Sequence, residues 1–213
     1  MTALVWDAVG ERRYEAGVDH GVLYLHAGGA VPWNGLTSLS EVLGREVKSY
    51  FIDGVKYLDY QIIGAYQATL KAFTYPDELN DLIGNPDFAP GVSVHDQRSK
   101  AFSLSYRTRL ADDLDPDTHY RIHLIYNVLA TPSSSQFDSQ SDGNTLTPME
   151  WTINGSPPAA TGIRPTSHIS LNSRSLDPEL LTQLEAILYG SVDNDPGLPT
   201  PADLLGIVDA FYA

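Results

Sequence analysis

The chain has 213 residues, 42% of them hydrophobic, and its 27 acidic against 13 basic side chains give a formal charge of −14. That length can bury a sizeable core as one large domain or two small ones, and the acidity repels a phosphate backbone, which disfavours sequence-specific nucleic-acid binding. The absence of cysteine excludes disulfide scaffolds, zinc ribbons, thiol nucleophiles and iron–sulfur ligation.

From the N-terminus, residues 1–10 lack the basic-then-apolar pattern of a secretory signal, and no apolar run reaches the ~18 residues of a membrane span. "GVLYLHAGGA" predicts a short strand ending at Gly28-Gly29. In "AVPWNGLTSLSE" (residues 30–41), Pro32, Asn34 and Gly35 read as a corner at the end of that strand. Trp33 reads as the corner's packing anchor, and the residues that follow look helix-like.

"EVKSYFIDGVKYLDY" sets Asp53-Gly54 between two runs rich in Val, Ile, Tyr and Phe. That predicts a two-residue hairpin, because both central turn positions need positive φ. "AYQATLKAFTY" reads as a further strand stopped by Pro76, and residues 76–97 as an irregular loop with one helical turn at "DELNDLI". The alternating runs "AFSLSYRTRL" and "HYRIHLIYNVLA", joined by the acidic "ADDLDPDT", predict two antiparallel neighbours with one buried and one polar face. Residues 131–148 form a long polar loop, followed by strand candidates in "MEWTING" and "TSHISLN".

The C-terminal region changes character. Asp177 as N-cap, Pro178 at the first helical position and Gly190 as terminator bracket a helix whose Leu180, Leu181, Leu184, Ile187 and Leu188 form one apolar stripe. Thr200 and Asp203 form a capping box for a second, short helix. Many strands followed by helices, with no repeat and no composition break, make one mainly-β domain with flanking helices.

No site chemistry stands out. There is no HExxH, and His119 and His123, ~13 Å apart along an extended strand, are too distant to share an ion. "GVSVH" is not a nucleophile elbow, and "HAGGA" is not a phosphate loop. Asp112 and Asp113 lie in an acidic turn, and Asn154-Gly155-Ser156, a formal sequon followed by proline, reads as a turn. No catalytic, cofactor-binding or metal-ligating residue is nominated.

Charge, by contrast, is segregated. Residues 177–213 hold seven acids and no Lys or Arg, whereas Arg98, Lys100, Arg107, Arg109 and Arg121 concentrate basic charge in one short region. The polar face carrying Arg107, Arg109 and Arg121 is a candidate to meet acidic surface on another copy of the chain. With Trp33 and the Asp53-Gly54 turn, these arginines are the subunit-interface candidates.

The segments "GERRYEAGVDHGVLYL", "AVPWNGLTSLSE", "YFIDGVKYLDY", "ATLKAFTYPDE", "FSLSYRTRLADD", "YRIHLIYNVLATPSS", "EWTI" and "RPTSHISLNSRSLDPELLTQLEAILYG" cover roughly residues 10–190. In content and order the text resembles the major tail proteins of long, flexible-tailed phages, notably those infecting actinobacteria. The resemblance implies a single tail-tube domain over residues 1–213, a β-sandwich or barrel with a flanking C-terminal helix, residues 191–213 being an acidic extension. It implies a virion protein, made in the host cytoplasm, that builds hexameric rings stacked into a tube. Other tail proteins would cap the tube ends, a tape measure protein would fill the lumen during assembly, and genomic DNA would pass through without specific binding. No enzyme activity, cofactor or membrane insertion is expected. The alternatives are a distal tail or tail terminator protein, which can share the fold, and a carbohydrate-binding β-sandwich using some of the twelve tyrosines and three tryptophans. A hydrolase lacks a nominated nucleophile. One of the connections around 36–50 or 131–148 is expected to reach the next ring.

Overall fold

The computed structural model describes residues 6–26, 28–42, 44–115, 119–134, 147–159 and 162–213. Most of the expected polar loop at 131–148, and part of the N-terminal segment, lie outside these residues.

The first six strands are β1 (Tyr14–Tyr24), β2 (Ala30–Trp33), β3 (Leu36–Val42), β4 (Arg45–Ile52), β5 (Val55–Ile63) and β6 (Gln67–Ala72). After the one-turn helix α1 (Glu78–Leu82) and the short pair β7 (Asp87–Ala89) and β8 (Val92–Ser93) come β9 (Phe102–Ala111), β10 (His119–Ser134), β11 (Met149–Gly155) and β12 (His168–Asn172). Helices α2 (Pro178–Tyr189) and α3 (Pro201–Tyr212) finish the chain. Eight strands form one antiparallel sheet in the order β2-β1-β9-β10-β11-β6-β3, with β12 added beside β10.

Sequence adjacency closes this sheet on itself. β2 and β3 stand at opposite ends of the strand order, yet only Asn34 and Gly35 separate them. The edges must therefore come together, and Trp33 on β2 meets Trp151 on β11 edge to face at 5.6 Å. The result is a barrel-like mainly-β fold. The corner that achieves it is held by Phe73 N–H donating to Gly35 C=O at 2.9 Å and Thr74 Oγ1 donating to Asn34 C=O at 2.8 Å. Gly35 has φ 76°, and a Cβ there would lie 2.5 Å from Thr74 Oγ1, so only glycine fits.

The residues after the corner, which look helix-like in sequence, form strand β3. Propensity loses to pairing here: Leu39 stands opposite Leu70 and Ser40 opposite Thr69, and β6 supplies the backbone partners.

Two cores flank the sheet. The interior holds Leu23, Trp33, Leu70, Phe102, Leu104, Ile125, Val128, Trp151 and Ile153, plugged at one end by Leu79 and Leu82 of α1. The outer face of the sheet carries Tyr24 of β1 and Ile122, Leu124 and Tyr126 of β10 under Leu180, Leu184 and Leu188 of α2 and Leu204 of α3. Strand β10 is thus covered on both faces, not on one as its alternation suggests. A register shift between Ile125 and Val128, with Asn127 at φ 49°, moves Val128 to the interior.

The helix signals hold. The Asp177 side chain accepts from Glu179 N–H at 2.9 Å, and Thr200 Oγ1 accepts from Asp203 N–H at 3.2 Å. Leu204 is buried, so the acidic C-terminal stretch packs onto the outer core through α3. Asn154 and Gly155 end strand β11 instead of forming a turn, with Gly155 N–H bonded to Tyr66 C=O.

Candidate assembly surface

Among the described residues, strands β4 and β5 pair only with each other and form a separate two-stranded sheet. Asp53 and Gly54 take φ values of 50° and 77° at the tip, the two positive-φ positions that the sequence predicts. At the root, Gly64 N–H donates to Gly44 C=O at 2.5 Å, so the hairpin leaves and rejoins the body at one point.

Nine large apolar side chains of this hairpin are exposed: Val47, Tyr50, Phe51, Ile52, Val55, Tyr57, Leu58, Tyr60 and Ile63. Register places Tyr50 opposite Leu58 and Lys48 opposite Tyr60, so Tyr50, Leu58 and Tyr60 share one face. The opposite face holds Ser49 donating to Asp59 at 2.6 Å, and Lys56 Nζ lies 2.7 Å from the same carboxylate. Arg45, Lys48 and Lys56 balance Glu46, Asp53 and Asp59, so the hairpin carries no net charge in a chain of −14. A lone hairpin is marginal in water, and contiguous exposed apolar surface marks an interaction site. Hairpin 45–63 is therefore the candidate contact surface.

The other interface candidates have different surroundings. Trp33 is buried, and its Nε1 donates to Thr74 C=O at 3.0 Å; it is a core residue that sets the corner. The three arginines do not share a face: Arg107 stands opposite Ile122, on the outer side, whereas Arg121 stands opposite Thr108, on the inner side.

Their charges are met within the chain by acids of β1. Arg107 Nε lies 3.2 Å and Arg109 Nε 3.3 Å from the two oxygens of Asp19, and Arg121 Nη1 lies 2.8 Å from Glu15. Arg107 also covers the Tyr120 ring at 4.5 Å. Burial alone would raise the Asp19 carboxyl, but hydrogen bonds from Arg107 and His20 and their charges hold it below the ordinary carboxylate value. Asp112, in the expected acidic turn, accepts from Leu114 and Asp115 N–H and pairs with Arg174 at 3.1 Å.

Inside the barrel the fold assembles a polar cluster that the sequence does not announce. His123 on β10 is far from His119 in register but lies 3.0 Å from His168 of β12, with Glu41 of β3 beside them. Burial lowers the affinity of both rings for a second proton, and keeps the Tyr66 and Tyr106 hydroxyls beside Glu41 protonated. His123 and His168 are 45 residues apart in sequence and meet only through strand pairing, so no spacing rule finds them.

No protein-family model matches the chain, and no curated protein matches it. Among solved structures, it is similar to a chain of an extracellular contractile injection system, the PVC sheath-tube complex in the extended state. The two are 19% identical with a TM-score of 0.38 over 71% of this chain and 88% of that one. A chain of the PVC sheath/tube terminator in the extended state is 18% identical, with a TM-score of 0.36 over 79% of this chain and 99% of that one. A chain of the anti-feeding prophage (AFP) baseplate is 12% identical, with a TM-score of 0.31 over 79% of this chain and 97% of that one.

Proposed function

We propose that the chain is a structural subunit of a phage-like tail, and specifically a tube subunit that forms hexameric rings stacked into a conduit for DNA. The observation that carries the reading is the hairpin 45–63: self-paired, charge-balanced and apolar, it adds no side chain to either core formed by the described residues. The segment-by-segment resemblance to flexible-tailed phage tail proteins supports the same role. The chain then works as a building block, without catalysis, and resides in the virion.

On this account the hairpin lies against a neighbouring copy, where its ladder edges and its apolar face find partners. Net acidity suits a tube through which DNA slides, because cationic walls would hold phosphate. Tape measure protein in the lumen and other tail proteins at the ends complete the assembly.

The test is deletion of residues 45–63 with Gly44 joined directly to Gly64, which the close approach of their backbones permits. The deleted chain is expected to fold and remain monomeric while the intact chain forms rings or tubes. Tubes unchanged by the deletion would refute the role given to the hairpin.

A further inference from the structure

Three side chains from separate strands converge inside the barrel: Glu41 near the end of β3, His123 in β10 and His168 at the start of β12. One ligand atom of each lies within 4.8 Å of the others. The hydrogen bonds around them fix which atoms are available.

Thr108 Oγ1 lies 2.5 Å from Glu15 Oε1 and 3.0 Å from His123 Nε2. A carboxylate only accepts, so the single hydroxyl proton goes to Glu15 and Thr108 must accept from His123 Nε2–H. His123 Nδ1 is therefore the lone-pair nitrogen, and it accepts a hydrogen bond from His168 Nε2–H at 3.0 Å. With ring centroids 5.2 Å apart and planes inclined by 28°, the two imidazoles meet edge to edge, nitrogen toward nitrogen. Tyr106, stacked on His123 with centroids 4.6 Å apart, fixes that ring's plane. The Tyr66 and Tyr106 hydroxyls donate to Glu41 Oε1 at 2.9 and 2.7 Å and orient the carboxylate. Its Oε2 lies on the His168 side, 3.6 Å from Nδ1.

We propose that Glu41, His123 and His168 form a binding site for a divalent transition metal of the zinc class, with His123 ligating through Nδ1 and His168 through Nε2. Two imidazoles and one carboxylate suit Zn(II) and its neighbours, whereas Mg(II) and Ca(II) prefer all-oxygen sets. Bonds of ~2.0–2.1 Å to nitrogen put tetrahedral ligand atoms about 3.3 Å apart. The two facing nitrogens stand 3.0 Å apart with one proton between them; the ion replaces that proton, which leaves His168 Nε2 for solvent as the rings turn to aim both lone pairs at the metal, and Glu41 rotates to complete the set. The supporting shell that metal sites need is also in place: Thr108 and Glu15 behind His123, two tyrosines behind Glu41. The ion ties β3 to β10 and β12 across the interior, where the backbone ladder pairs β3 with β6. This site stands independently of the assembly reading.

The experiment uses the full chain, stripped with chelator and titrated with Zn(II) and, separately, Co(II). One ion is expected per chain, with a rise in melting temperature and visible Co(II) bands. On Zn(II) addition the ring nitrogen signals of His123 and His168 should shift while those of the other four of the six histidines stay in place. His168→Gln and Glu41→Gln, checked for folding by circular dichroism, should each weaken binding by roughly tenfold or more, and His119→Gln should not. Absence of stoichiometric binding, binding that survives His168→Gln, or nitrogen shifts confined to His20, His26, His95 or His119 would overturn the proposal. The ring-nitrogen measurement decides the question on the unmodified chain even if a variant fails to fold.

Discussion

Replacing Tyr50, Leu58 and Tyr60 together with threonine strips one face of the hairpin while keeping β propensity. The three side chains are 54%, 43% and 56% exposed. A large aromatic buries about 150–250 Å² when fully covered, so on the order of 250 Å² of apolar surface remains on this face for a partner to cover. At ~25 cal/mol/Å² that is roughly 6 kcal/mol per hairpin. Threonine retains part of it, leaving a loss of about 4 kcal/mol per contact, near a thousandfold in association. The subunit itself should hardly notice, because exposed substitutions usually stay within about ±0.5 kcal/mol. Sedimentation velocity reads the first quantity, and urea unfolding of the monomer reads the second. A triple variant that assembles like the parent, or that loses global stability in step with assembly, would refute the reasoning.

Trp33→Ala should cost the fold about 3–5 kcal/mol, because it opens a cavity against Trp151 and orphans Thr74 C=O; the drop in urea midpoint measures it. Asp177→Ala should cost about 1 kcal/mol through the lost cap on Glu179 N–H, seen as a lower melting temperature without loss of helical signal at room temperature. Asp19 has a folded pKa below its unfolded value, so its contribution is present above about pH 4 and fades as pH falls through the folded value. The stability gap between the parent and Asp19→Asn should therefore be open at neutral pH and close in acid; a gap that is constant with pH would contradict the pairing with Arg107.

Local signals carried much of this structure. The Asp53-Gly54 turn, the caps at Asp177 and Thr200 and the alternation in β9 and β10 depend on neighbours within a few residues, and each appears where its pattern places it. Features decided by register were not legible. One residue of register shift near Asn127 puts Val128 inside the barrel, and pairing sends Arg121 to the opposite face from Arg107. β3 was hidden for a related reason: "LTSLSE" alternates weakly, and it is a strand because β6 and the Gly35 corner hold it there. The Glu41–His123–His168 cluster joins three strands distant in sequence, so only the closed sheet reveals it. The hairpin was legible as a hairpin, but its exposure was not, since apolar strands ordinarily signal a core.

Electron microscopy of the purified chain tests the central claim most directly. The account predicts rings or stacked tubes with a central channel, in which density for residues 45–63 lies against a neighbouring copy. Assemblies in which that hairpin projects into solvent, touching no other subunit, would contradict it.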